Sequence, residues 1–188
     1  YGAYGKRLKS QWNPLIKKLS EDAFTRQAVL SILTEEDLKA ITRDFPCNLS
    51  LLFWSDDGLH LNLTTIVRSQ DMYLGFPYDV FNWTMFQECI AKSCNLQIGS
   101  YYHFMIIGHY YLENKPVLLG ISQSKFESSI TMKEIQTSCF DLETYNKLIT
   151  GEEYIRLRGL NFNSFYNDRD LSTKRDEIGR EKYILGLK

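Results

Sequence analysis

The chain has 188 residues and a net charge of −1, from 22 Lys and Arg against 23 Asp and Glu. With 44% hydrophobic and 14% aromatic residues it has a globular composition, which excludes the collagenous and disordered classes. The balanced charge excludes a protein that holds a polyanion by bulk attraction, so no direct nucleic-acid binding is expected and any phosphate must be met by a few placed residues. The four cysteines, Cys47, Cys89, Cys94 and Cys139, form no Cys-x-x-Cys pair and the three histidines are scattered, so spacing assembles no metal ligand set. No stretch reaches the roughly 18 apolar residues of a membrane span, and Tyr1 to Leu8 does not read as a signal peptide. A reduced, cytoplasmic setting without a membrane is expected.

In chain order, a Gly- and aromatic-rich start gives way to Trp12, Leu15, Ile16 and Leu19, whose spacing predicts an amphipathic helix around residues 10 to 20. Ala28 to Leu33 is an apolar run suited to a buried strand, and Thr34 followed by Glu35, Glu36 and Asp37 reads as the N-terminus of a short helix. Residues 49–55 and 59–68 flank Asp57-Gly58 and predict a hairpin, because Leu59, Leu61 and Leu63 alternate with His60 and Asn62. Trp83, Phe86, Ile90 and Cys94 recur at helical spacing and predict a core helix over 80–94, with a further strand over 103–112. Beyond Pro116 the pattern loosens, although Tyr154 to Leu157 reads as a strand and Asp168 to Lys182 as a peripheral charged segment. No linker or repeat divides the chain, so a single domain over 1–188 is expected. The predicted fold class is α+β, a mixed β-sheet packed against the 80–94 helix.

Five short motifs then occur in order: Thr25-Arg26-Gln27-Ala28-Val29, Pro46-Cys47, Arg68-Ser69-Gln70-Asp71, Leu74-Gly75-Phe76-Pro77-Tyr78-Asp79 and His109-Tyr110-Tyr111. In order and approximate interval they resemble the thymidylate synthase family, which includes the pyrimidine hydroxymethylases. Tyr1-Gly2 or Tyr4-Gly5 is similar to the family's Tyr-Gly segment. The resemblance is clear over 1–112 and weak beyond. It implies a homodimer formed through the sheet, and a transferase that adds a hydroxymethyl or methyl group to C5 of a pyrimidine nucleoside monophosphate. The reduced folate 5,10-methylenetetrahydrofolate would be the one-carbon donor. The alternative, from a different class, is a non-catalytic relative serving as a nucleotide-binding or interaction subunit.

The chemistry gives each motif a reason. Pyrimidine C5 becomes nucleophilic once a thiolate adds to C6, and Cys47 is the candidate nucleophile. A neighbouring guanidinium raises the thiolate fraction of an ordinary thiol, and Arg68 is the candidate neighbour. The bland reading makes Cys47 a buried small hydrophobe. The resemblance assigns the phosphate to Arg68 and Ser69, completed by Arg26 from the opposite subunit, while Gln27 stands where a second arginine is usual. Arg68 read alone is a strand end pointing into water. Asp71, with Leu74 and Gly75 as the adjacent wall, is implied to face the folate; otherwise Asp71 is an exposed loop acid. His109 and Tyr111 are implied to bond the sugar hydroxyl, from one face of a strand at their i, i+2 spacing; alternatively they belong to a half-buried aromatic strand.

Asp79 discriminates between substrates, because uracil-using members carry Asn at the matching place and relatives that act on cytosine nucleotides tend to carry Asp. A carboxylate suits the exocyclic amine of cytosine, so cytosine is preferred over uracil. The competing reading is an N-cap for the helix over 80–94. Asn48 replaces the His usual after the nucleophile. The family's N-terminal region, with its proton-transfer glutamate, has no match here, so an incomplete or divergent member, or one completed by another polypeptide, is expected.

Overall fold

The computed structural model describes residues 3–125 together with 132, 134 and 135. The chain divides into two compact units, Tyr1–Ile135 and Gln136–Lys188, and every described residue belongs to the first. The strand expected at Tyr154 to Leu157, the charged segment from Asp168 and the Tyr1-Gly2 pair lie outside the described residues.

Two helices open the unit, α1 at Tyr4–Leu8 and α2 at Trp12–Glu21. The expected spacing puts Leu15 and Leu19 of α2 into the core, with Trp12 and Ile16 packed at its margin. β1 follows at Val29–Ser31, then α3 at Glu35–Lys39, where Thr34 and Asp37 form a capping box. Asp37 does more than cap: its buried carboxylate takes both guanidinium ends of Arg7, each at 2.7 Å, tying α1 to α3.

β2 at Asn48–Trp54 and β3 at His60–Val67 form the predicted antiparallel hairpin. Gly58 closes its turn at φ +73, a left-handed conformation that glycine adopts without steric cost, and the Phe24 ring lies against it. β4 at Gln70–Asp71 leads into α4 at Gly75–Ser93, which returns the chain to β5 at Gln97–Met105, parallel to β3. β6 at Gly108–His109 pairs with β4, and after a 3₁₀ turn at Leu112–Asn114 the helix α5 spans Lys115–Gln123. The main sheet is therefore mixed, in the order β1-β2-β3-β5. Its inward positions, including Leu30, Leu51, Phe53, Leu61 and Leu63, share one core with α1, α2 and the Trp83, Ile90 and Ala91 face of α4.

Three expectations need correction. The long helix starts at Gly75 instead of residue 80, because Asp71 caps it from upstream and Pro77 falls in the first turn, where no intrahelical N–H bond is lost. Asp79 consequently lies in the second helical turn and is not its N-cap. The last strand runs over 97–105 instead of 103–112, so Tyr111 lies outside it and does not share a strand face with His109. β1 is shorter than the apolar run that announced it.

Candidate functional site

The hairpin register sets Asn48 opposite Val67, so Cys47 and Arg68 leave the ladder side by side at the same end of the sheet. The Arg68 amide donates to the Cys47 carbonyl at 2.9 Å. Its guanidinium does not run into water. Nε donates to the Pro46 carbonyl at 2.9 Å, Nη2 donates to the Phe45 carbonyl at 3.2 Å, and the Phe45 ring lies 5.0 Å from the guanidinium carbon. The half-buried Arg68 thus holds the segment that carries Cys47, itself a half-buried free thiol.

Next in sequence, Asn48 is fully buried and joins this end to α4: it accepts from the Trp83 indole at 3.1 Å and donates to Asp79 at 3.1 Å. Ser69 and His109 meet through the β4·β6 pairing, with Oγ and Nδ1 3.3 Å apart. The Tyr111 ring stands edge-on to His109 at 5.6 Å despite lying outside the strand.

Asp71 is neither a loop acid in water nor uncommitted. Its carboxylate accepts from the amides of Tyr73, Leu74 and Gly75. Burial works to raise its pKa, but those three amides and His109 outweigh burial and leave it below the ordinary carboxylate value. A Cβ at Gly75 would lie 2.9 Å from Gln70 Nε2, so a side chain there would have to displace the end of Gln70. Leu74 is exposed beside Gly75. Arg26 stands apart, exposed in the connection before β1, without a hydrogen bond or ion pair among the described residues. Gln27 beside it accepts from Lys18 Nζ at 2.8 Å.

A polar cluster that the motifs did not announce lies on the covered face of the sheet. Nε2–H of His103 donates to Gln70 Oε1 at 2.9 Å, which leaves Nδ1 to accept from the Tyr101 hydroxyl at 2.7 Å, with the Thr65 hydroxyl 3.1 Å from both. Burial lowers the pKa of His103 against an opposing pull from Asp79, and burial pushes the Tyr101 phenol up to about 12. Phe76 of α4 packs edge-on against His103. The available signal was strand alternation: Thr65 shares an inward row with Leu61, Leu63 and Val67, and a polar residue there needs a buried partner.

No group of three or more His, Cys, Asp or Glu side chains is placed to hold a metal among the described residues. Nor is any helix among them long and apolar enough to cross a membrane.

Comparison with known proteins gives a consistent result. The family model described as Thymidylate synthase matches residues 2–154. Thymidylate synthase of Staphylococcus haemolyticus is 23% identical over 133 residues, covering 70% of this chain and 41% of that protein. The enzyme of Mesoplasma florum is 27% identical over 168 residues, covering 79% and 57%. The bifunctional dihydrofolate reductase-thymidylate synthase of Zea mays is 30% identical over 131 residues, covering 70% and 25%. Among solved structures, the thermostable thymidylate synthase A from Bacillus subtilis superposes with a TM-score of 0.55 at 25% identity, covering 62% of this chain and 41% of that one. The chain thus spans 57% or less of the length of each of these relatives.

Proposed function

The chain belongs to the thymidylate synthase family, and from that premise we propose that it serves folate-dependent transfer of a one-carbon unit to C5 of a pyrimidine nucleoside monophosphate, with cytosine preferred over uracil. The observation that carries this reading is the convergence of Cys47, Arg68, Asn48 and Asp79 at one end of the sheet.

In this reading the Cys47 sulfur adds to C6 of the ring, and the displaced electron pair makes C5 the nucleophile. When bound, 5,10-methylenetetrahydrofolate supplies the one-carbon unit. The C5 proton would then go to a base as the one-carbon unit parts from its donor nitrogen, and addition of water (hydroxymethyl product) or hydride (methyl product) at that carbon expels Cys47 as the thiolate. Arg68 serves twice, steadying the Cys47 segment through Pro46 and Phe45 and offering Nη1, which has no hydrogen bond among the described residues, to the nucleotide phosphate together with Ser69. His109 and Tyr111 meet the sugar, and Asp79 meets the base.

The donor set at Asp71 fits a reduced folate. A carboxylate has about four acceptor positions, and the three amide bonds leave room for an N–H donor beside the exposed Leu74.

A second copy is part of the proposal. The sheet's other face carries Val29, Tyr102 and Phe104 largely exposed, with Ile106 exposed just beyond β5 and Trp54 stacked on Tyr102. An apolar face of this kind marks an association surface. Closing it with a second copy forms the homodimer through the sheet. Arg26 would then reach the partner's phosphate, and the Lys18 ammonium beside Gln27 supports a cation there.

The nucleophile is tested with a 5-fluoropyrimidine nucleotide and methylenetetrahydrofolate. Fluorine does not leave C5 as a proton does, so intact-mass analysis should find a persistent adduct on Cys47 that is absent in Cys47→Ser. No adduct on the parent, or one that survives Cys47→Ser, overturns the catalytic reading in favour of a non-catalytic relative. The base is tested at Asp79: calorimetric titration should find cytidine monophosphate bound about tenfold or more tighter than uridine monophosphate, and Asp79→Asn should reverse that order. Equal binding of the two by the parent ends the cytosine assignment.

A further inference from the structure

Asn48 has every polar group of its side chain committed, and the commitments have a direction. Its backbone N–H lies 3.4 Å from the Tyr4 hydroxyl, Oδ1 accepts from Trp83 Nε1 at 3.1 Å, and Nδ2 donates to Asp79 Oδ2 at 3.1 Å. An indole nitrogen can only donate, so Trp83 decides which end of the amide faces it. The amide nitrogen is left facing Asp79. The Trp83 ring is itself held between Tyr4 at 5.5 Å and Phe86 at 6.1 Å. Asp79 thus has one oxygen anchored, while Oδ1 makes no hydrogen bond among the described residues.

We propose that Asn48, aligned by Trp83, is the positioning residue that sets base selectivity, by holding Asp79 as a fixed acceptor. An anchored carboxylate favours a ring edge that presents a donor, such as the exocyclic amine of cytosine. It cannot swing away from the O4 carbonyl of uracil, so the mismatch of two acceptors is not relieved. This inference rests on the proposed reading that the base lies against Asp79. It adds that discrimination is set one residue from Cys47, in the same segment that carries the nucleophile.

The test is calorimetric titration of cytidine and uridine monophosphates into the 188-residue chain, its Asn48→Leu variant and its Trp83→Phe variant, with thermal unfolding followed alongside. Asn48→Leu releases Asp79, and the ratio of the two affinities should fall about tenfold, toward equal binding. Trp83→Phe keeps the ring packing but removes the group that aligns the amide, and the ratio should fall about threefold. A merely structural Asn48 would lower the melting temperature and leave the ratio alone. A parent-like ratio in folded Asn48→Leu, or in Trp83→Phe should Asn48→Leu not fold, overturns the positioning role and leaves the proposed function standing. A parent that binds neither nucleotide, or both equally, overturns the reading of Asp79 itself.

Discussion

Leu30, Leu51, Leu63 and Phe53 on one face of the sheet are buried under the helices, whereas Val29, Tyr102 and Phe104 on the other stay between 48% and 61% exposed. Strands of one sheet supply both sets, and register aligns the open one: Val29, Leu52, Thr64 and Tyr102 lie in one row across the open face. An antiparallel sheet with one solvated face ordinarily alternates apolar with polar residues. Here Val29, Leu52 and Tyr102 put apolar groups on the open side as well, so the helices cover one of two largely apolar faces. The covered face makes the fold, and the open face is the one the proposed dimer would close.

The sharpest way to break this comparison is at Phe53, whose ring centre lies 6.0 Å from that of Phe86 and which is 2% exposed. Phe53→Ala should cost about 3–5 kcal/mol in chemical denaturation, the loss of a buried aromatic plus the cavity it leaves. A cost below about 1 kcal/mol would show that this face is not the core. Phe104→Asp, on the other face, should leave the unfolding free energy of the separated chain within about 0.5 kcal/mol. Its effect belongs to assembly: sedimentation at micromolar concentration should move from dimer to monomer, and an unchanged dimer would place the interface elsewhere.

The smallest effect comes from two histidines that titrate in opposite senses. The Asp57 carboxylate bonds His60 and raises its pKa, so the stabilisation is fully present below the ordinary value of about 6.5 and is lost as pH rises through the folded value. Burial lowers the pKa of His103, so the unfolded chain takes up that proton first and stability falls as pH drops from about 6.5 toward the folded value. An NMR titration should find the His60 midpoint above that of His103, and Asp57→Asn should move only the former back toward the ordinary value. Coincident midpoints would remove the distinction between the exposed and covered sites.

Much of the fold was legible where pattern and punctuation agree. The alternation of Leu59, Leu61 and Leu63 around Asp57-Gly58 announced the hairpin, and Thr34 with Asp37 announced α3. Sequence reading failed where a residue acts at a distance. Asp71 caps α4 from four residues before Gly75, so the helix begins ahead of the Trp83, Phe86, Ile90 and Cys94 spacing that predicted it over 80–94. β5 begins at Gln97, yet Gly99 and Ser100 interrupt its apolar pattern. The motifs carried Cys47, Arg68, Ser69, Asp71 and Asp79. They could not carry the joining of Thr65, Gln70, Tyr101 and His103, because these come from separate strands that only the folded sheet brings together. Arg68 was legible as a charge, but its grip on the Pro46 and Phe45 carbonyls was not.

The parallel pairing of β3 with β5 sets an order of construction. The hairpin of β2 and β3 closes through a short loop, so the Cys47–Arg68 junction is local and its closure entropy is small. β5 can add only after α4 has crossed over the sheet, and such non-local pairing is intrinsically slower. During synthesis, the edge of β3 therefore stands unpaired until Met105 has left the ribosome, and an open edge of this kind invites pairing with other chains. Conditions that slow the arrival of β5 are expected to lower the yield of folded protein before they alter the stability of the molecules that do fold.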